Sequence, residues 1–419
     1  MAAAAEVPEE YRPFTARALI WSIILAFFIL FAQGVMGNAA GYLWTGEAAA
    51  AMMTVTYAVF AIFGKTLRPE EFAVVYGTLE TASCILMPGF VSLLADWAYA
   101  RLSEDFADYW EWMPSFLVPT DEAALRGLLE PGPIHIGSWI VPIIFFAVFG
   151  FCAFSLGIFT VLPFRKLYIE IERLPFPVAT VGASVVEYTT KRQTNRLKWL
   201  WLGLLLGFLL GIFEEGMTIQ SMFPDFPVIP LEKDLTPYIQ GPFPGGYLSL
   251  EGYTPDLLAW AYIIPLEVQI STWVTGLLCN VVLTSIEVRA GIISYTPGGG
   301  FYDYYRVARS EGIGWLHIAA GMYLAIGLVP ILLNYRYVAD TLKRFISGPT
   351  PEEWEELALP YRYSWLGFIV FYILTWILLS ALGLNPVVAF VLLLWNCLLY
   401  TSDAADDGES VDLGGRRII

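Results

Sequence analysis

Long stretches of apolar residues, each almost free of charge, constrain this 419-residue chain more than any other feature. A helix of roughly 20 such residues is what crosses a hydrocarbon layer about 30 Å thick. Residues 18–36, 48–64, 139–162, 199–219, 257–288, 315–333 and 365–382 reach or approach that length, and 387–395 begins another. A weaker stretch, 73–99, is interrupted by Glu80, Pro88 and Asp96. The pattern predicts an all-α, polytopic transmembrane helical bundle of about eight or nine membrane segments.

Composition agrees where it can be made to decide. Only 15% of the residues are charged and 57% are hydrophobic, whereas a soluble domain carries roughly 25% charged residues. The lipid bilayer is therefore the first partner to expect. Nucleic acid is disfavoured, because 39 acidic against 23 basic residues, net −16, leave no positive footprint for phosphate. Four cysteines in so long a chain do not make a disulfide scaffold. The isolated His135 and His317 have no ligand-spaced neighbours, so neither a metal nor any other cofactor is expected. No nucleophile–base arrangement stands out, and the reading is not that of an enzyme.

Loop charge sets orientation. Segment 163–198 carries seven basic residues, among them Arg165, Lys166, Lys191 and Arg192, and segment 335–363 carries Arg336, Lys343, Arg344 and Arg362. Both read as cytoplasmic. The acidic segment 101–136 and the Pro- and Gly-rich 220–256 read as outside, and 1–17 becomes a cytoplasmic N-terminal segment of a multi-pass plasma or inner membrane protein.

One conflict follows. Passing from 220–256 outside to 335–363 inside requires an odd number of crossings, yet 257–288 and 315–333 make two. The stretch 257–288 is too long for one upright span and too short for two. Pro265 lacks the backbone N–H and should break it early. A broken or re-entrant helix there restores the parity, and irregular backbone at membrane depth is tolerated only inside protein or beside a wet cavity.

Several residues follow as candidates. Glu267 lies two residues past Pro265, with Gln269, Ser271 and Thr272 after it. An ionisable group at membrane depth is costly and is read as functional by default, here as a proton carrier in a water-lined chamber. The bland alternative is a carboxylate near the headgroups. Glu80, Asp96 and Glu287 are weaker cases, Glu287 because it could simply pair with Arg289. Glu187 could line a cytoplasmic gate or form a surface ion pair. Gly298–Gly300 with the aromatics after it could present carbonyls and rings to a peptide, or be an interface turn.

The string from Arg173 to Glu187 is the most distinctive: Pro175 and Pro177 force extended backbone, and Ala179, Thr180, Gly182, Ala183 and Ser184 allow close packing. This Leu-Pro-Phe-Pro motif resembles the oligopeptide transporter superfamily, in particular its prokaryotic peptide-transporter-like branch. Thr15-Ala-Arg17-Ala-Leu before the first span and Tyr262-Ile-Ile-Pro265-Leu-Glu267-Val-Gln269 add to the resemblance, which runs over 12–396. The Asn-Pro-Gly and Lys-Ile-Pro-Pro-Arg strings of the eukaryotic members are absent. The resemblance implies a secondary transporter for small peptides or related amide or metal-chelate substrates, with the proton as coupling ion. It also implies a transporter domain, 18–396, that is the truncated first part of a larger protein. Glu267, Pro265, Gln269, Glu80, Glu187, Pro177 and Gly182 are then its substrate or proton pathway.

Residues 397–419 resemble translated sequencing-adaptor sequence and are expected to be a non-native tail. Two other functions stay open. A membrane-embedded transferase could act on lipid-linked substrates at the outer face through Asp105, Asp108 and Glu111, and a non-transporting scaffold would need no site at all.

Overall fold

The computed structural model describes residues 14–40, 67–85, 89–130, 133, 135–171, 194–214, 223–225, 233–250, 261–262, 264–312, 315–357 and 359–407. Within them the chain is mostly helical, with a single two-stranded pairing of Lys233–Asp234 and Ser249–Leu250. Among the described residues, three helices are long and apolar enough to cross a membrane: Ile136–Phe164, Leu266–Arg289 and Tyr361–Ala381. The chain divides into two compact units, one built from 1–192 with 326–419 and the other from 193–325.

The first unit opens with α1 (Ala16–Ala40), followed by α2 (Pro69–Ile85) and α3 (Gly89–Leu102). The expected stretch 73–99 is thus two helices on either side of 86–88, whereas 48–64 lies outside the described residues. α1 and α2 pack along each other, and one buried acid fixes their ends. Glu71 is 1% exposed and accepts from Thr15 Oγ1 (2.6 Å), from Arg68 N (2.9 Å) and from the Arg17 guanidinium. Pro69 and Glu71 together read as a helix start, with proline in the first turn and an acid reaching back to the N-terminal amide. Burial pushes the Glu71 carboxyl up, but the Arg17 and Thr15 hydrogen bonds outweigh it and leave its pKa below the usual value.

A 3-10 segment, Glu104–Trp112, and α4 (Glu122–Leu129) lead to α5 (Ile136–Val161). Asp121 caps α4 by accepting from Ala123 N, 3.1 Å. α5 packs against a later helix, α13 (Tyr361–Ala381), through aromatic side chains and one glycine. Phe159 stacks on Phe371, ring centroids 5.4 Å apart, and lies flat against Gly367, where any Cβ would collide with its ring.

In the second unit, α6 (Thr194–Glu214) is followed by the strand pair and then by one long, interrupted helix. Its parts are α7 (Leu266–Gly276), a π-helical segment (Leu277–Leu283) and α8 (Thr284–Arg289). Next come α9 (Phe301–Glu311) and α10 (Trp315–Leu333), the latter running on into the first unit.

Back in the first unit, α11 (Tyr335–Ser347) and α12 (Pro351–Glu356) precede α13, and α14 (Pro386–Asp407) follows it. The turn into α14 is written locally: Gly383 takes φ +95°, and Asn385 Oδ1 accepts from Val387 N (2.9 Å) with Pro386 at the first helical position. Tyr372 then ties the hairpin by donating to the Phe390 carbonyl, 2.7 Å.

Candidate functional site

The site suggested by Pro265, Glu267 and Gln269 lies wholly in the second unit, at the start of the interrupted helix. Proline supplies no N–H, so the helix begins only after Pro265, whose backbone is extended (φ −53°, ψ 140°). Its carbonyl accepts from Val268 N (3.1 Å) and Gln269 N (3.2 Å). The Gln269 side chain turns back across the break, its amide donating to the Ile264 carbonyl (2.7 Å) and to that of Ala261. Gln269 therefore braces the break. Ser271 and Thr272 spend their hydroxyls on the helix itself, donating to the Glu267 (2.7 Å) and Val268 (2.9 Å) carbonyls.

Glu267 is different. Its side chain is exposed in the first turn of α7, where an acid favourably meets the positive end of the helix. Nothing among the described residues encloses it, so the chamber expected around it is not part of the described structure. Its helix is the barest of the three long ones, with 6% of its apolar window buried.

Ten residues on, the same helix changes its winding. Over Leu277–Leu283 the backbone is π-helical, a form that appears mostly as single turns inside α-helices, frequently at functional sites. Asn280 lies at its centre, and the loop 243–247 closes over it. Tyr247 donates its backbone N–H to the Asn280 carbonyl (3.1 Å) and its hydroxyl to Asn280 Oδ1 (3.2 Å). The approach requires glycine, because a Cβ on Gly246 would sit 3.0 Å from the Val281 carbonyl oxygen. Gly245 takes φ +78° against the Val288 side chain. Gln240 holds the loop in shape, donating to the Gly246 carbonyl (2.6 Å) while accepting from Gly245 N (2.8 Å). One turn further, Ser285 is 3% exposed and its buried Oγ has no hydrogen-bond partner among the described residues.

The glycine string resolves into architecture as well. Asp234 accepts from Thr236 N (2.8 Å) and, 67 residues away, from Phe301 N (2.8 Å), so the strand pair caps α9. Gly298 needs φ +85°, a Cβ on Gly299 would crowd the Tyr304 ring at 3.1 Å, and one on Gly300 would meet Asp234 Oδ2 at 3.0 Å. Burial raises the Asp234 carboxyl, but the hydrogen bonds from Phe301 and Thr236 prevail and set its pKa below the usual range. Tyr247, Ile293, Tyr304 and Ala308 form the small core beneath this cap.

Glu287, the weaker candidate beside Arg289, lies in α8. It is 5% exposed, and Arg289 donates to the Pro242 carbonyl at 2.8 Å. Glu80 lies in α2, and Asp96 is exposed in α3. Glu187, Pro177 and Gly182, with the whole Leu-Pro-Phe-Pro motif, fall outside the described residues. Asp105, Asp108 and Glu111 are exposed along the 3-10 segment. Sequence reasoning missed Glu71, Asn280 with Tyr247, and Asp234. Only Glu71 left a local signal, the Pro-Glu-Glu helix start.

Taken together, these features define a helical chain with apolar helices of membrane-crossing length, one of them interrupted and braced by a folded loop. Residues 8–402 match DUF6785, a family of unknown function, and the chain belongs to that family. The match ends six residues beyond position 396, the expected boundary of the transporter domain. No curated protein and no solved structure matches the chain.

Proposed function

We propose that this protein is a polytopic secondary transporter of the cell membrane, with its N-terminus in the cytoplasm. Its substrates are small peptides or related amide or metal-chelate molecules, taken up with protons. The observation that carries the reading is the helix Leu266–Arg289, long and apolar enough to span yet starting only after the break at Pro265 and interrupted by its π-helical segment. Discontinuous spans of this kind build ion and substrate sites in transporters, because unwound backbone and charged side chains are admitted only where function uses them.

Glu267 is the first choice for the proton carrier. Between positions 257 and 286 it is the one Asp, Glu, Lys or Arg in the sequence. Pro265 and Gln269 are positioning residues that fix where the first turn starts. The test is uptake of a labelled dipeptide into proteoliposomes under an imposed pH gradient. Glu267→Gln should abolish gradient-driven accumulation while dipeptide exchange at equal pH persists. Driven uptake equal to that of the unaltered protein would remove Glu267 from the mechanism, and no dipeptide uptake by the unaltered protein would remove this substrate class.

A further inference from the structure

Helix α11 (Tyr335–Ser347) spends only part of its apolar surface on the described protein, and it does so where two helices of membrane-crossing length end. The Tyr337 hydroxyl donates to the Pro163 carbonyl (2.9 Å), in the last turn of Ile136–Phe164. It also lies 3.0 Å from the hydroxyl of Tyr361, the first residue of Tyr361–Ala381. Trp365 Nε1 donates to Thr341 Oγ1 (3.3 Å), and Val338 packs on Phe164, Leu167 and Tyr168. Arg344 fixes the roll of α11 by donating to the buried Glu353 at 3.0 Å, its guanidinium over the Tyr361 ring. All of these residues belong to the first unit, and Asn334 alone separates α11 from the end of α10.

The docked side leaves two arcs of the helix free. With 3.6 residues per turn, Tyr335, Ala339, Leu342 and Ile346 share an arc of about 60°. All four are exposed, Tyr335 by 59% and Ile346 by 81%. Arg336, Asp340, Lys343 and Ser347, also exposed, share the next arc. A helix between protein and water needs one apolar side and one polar side. The second apolar arc is surplus there, but not at a bilayer surface, where an amphipathic helix lies in the plane and buries such a stripe at the boundary of headgroups and acyl chains.

We infer that α11 is an in-plane membrane helix. Its Tyr335, Leu342 and Ile346 side chains are seated in the leaflet at which α5 and α13 end, the cytoplasmic one by loop charge. The inference rests on the membrane reading above, not on transport, and adds a lipid-binding surface outside the spans. Arg336 and Lys343 adjoin the stripe, where long cationic side chains lay their stems on apolar surface and reach lipid phosphate with their heads. Lys343 also meets Asp340 Oδ1 at 3.1 Å, an exposed pair of little strength that leaves the ammonium open to a headgroup. The exposed rings of Trp354 and Tyr363, centroids 5.8 Å apart, stand beside the same helix ends, as aromatic residues do at membrane–water interfaces.

The test is spin-label accessibility of the full chain in phospholipid vesicles. Its four cysteines are replaced by alanine, and labels are attached one at a time through Ile346→Cys, Asp340→Cys and Ile373→Cys. Ile373 is exposed midway along α13 and reports whether that helix is in lipid. Position 346 should collide more with oxygen than with a water-soluble nickel chelate, position 340 the reverse, and position 373 should favour oxygen most. A label at 346 as open to the chelate as one at 340 would put the stripe in water and overturn the inference. A label shielded from both reagents would mean that a second copy or another segment of the chain covers the stripe, and would overturn it equally. Either result with 373 still rich in oxygen leaves the membrane reading standing, whereas chelate access at 373 would end both. In the chain with its native cysteines, benzoylphenylalanine in place of Ile346 should capture phospholipid on illumination, read as added mass; capture of protein alone would overturn the inference.

Discussion

Two long apolar elements of this protein solve opposite problems. The α5–α13 pair is closed along its length: Gly367 admits the Phe159 ring, and Phe159 and Phe151 both pack on Phe371. The helix Leu266–Arg289 is held at its ends, by Gln269 across a proline break and by Tyr247 at a π-helical turn. Apolar interdigitation makes a rigid scaffold because every displacement opens a void. Polar contacts at the ends of this helix specify its position while leaving its flanks unfilled among the described residues.

The sharpest way to break the contrast is to remove the ring that closes the loop. Tyr247 is 2% exposed and packs on Phe301 and Tyr305 besides its bonds to Asn280. Tyr247→Ala should cost about 3–5 kcal/mol of local stability, as large-to-small aromatic changes in cores do. Hydrogen exchange in nanodiscs should then show faster exchange over 280–289 and α9, with α5 and α13 unchanged. Equal acceleration in α5 and α13 would mean that the two elements share one cooperative unit, and the contrast would be lost.

The reciprocal experiment fills the scaffold contact. Gly367→Leu forces a branched side chain into the space of the Phe159 ring, and overpacking of this kind costs about 1–3 kcal/mol. Its signature is thermal destabilisation with increased exchange in α5 and α13 and none over 266–289. A variant as stable as the parent would show that the α5–α13 seam yields easily and is no scaffold.

These two regions also differ in how much of them the sequence discloses. Apolar length alone marks α5, α13 and the helix 266–289, since a bilayer sets one length for all of them. Pro265 announces its break because the missing N–H is a property of that residue wherever it stands. The turn at Gly383-Leu-Asn385-Pro386 is legible for the same local reason. The π-helical turn is not, because it is completed by Tyr247, 33 residues earlier, and nothing near Asn280 encodes that partner. Gln269 reads as one polar residue among several, and only the backbone at Ala261 and Ile264 shows it to be a brace. Glu71 advertises a helix start, but its Arg17 partner lies 54 residues away. The Gly298–Gly300 string reads as a site or a turn, and nothing near it announces that Asp234 Oδ2 lies beside Gly300.

The smallest expected effect concerns the cap that Asp234 provides. Its carboxyl titrates below the ordinary range because Phe301 N and Thr236 donate to the charged form more strongly than burial opposes it. A group with a depressed folded pKa binds fewer protons in the folded state, so it stabilises fully above its unfolded value, about 3.9, and less as pH falls below that. Asp234→Asn keeps an acceptor for Phe301 N but removes the charge, and should cost about 0.3–1 kcal/mol at neutral pH, the worth of a negative charge at a helix N-terminus. That deficit should shrink as pH is lowered below about 4, since the parent then loses the same advantage. Thermal melts of parent and variant from pH 7 to 3, followed through tyrosine fluorescence near Tyr304, measure the gap. A gap that stays constant with pH would assign the cap to shape rather than charge. It would also leave the loop closing over Asn280 as the stronger of the two ties between residues 233–250 and the segment that follows them.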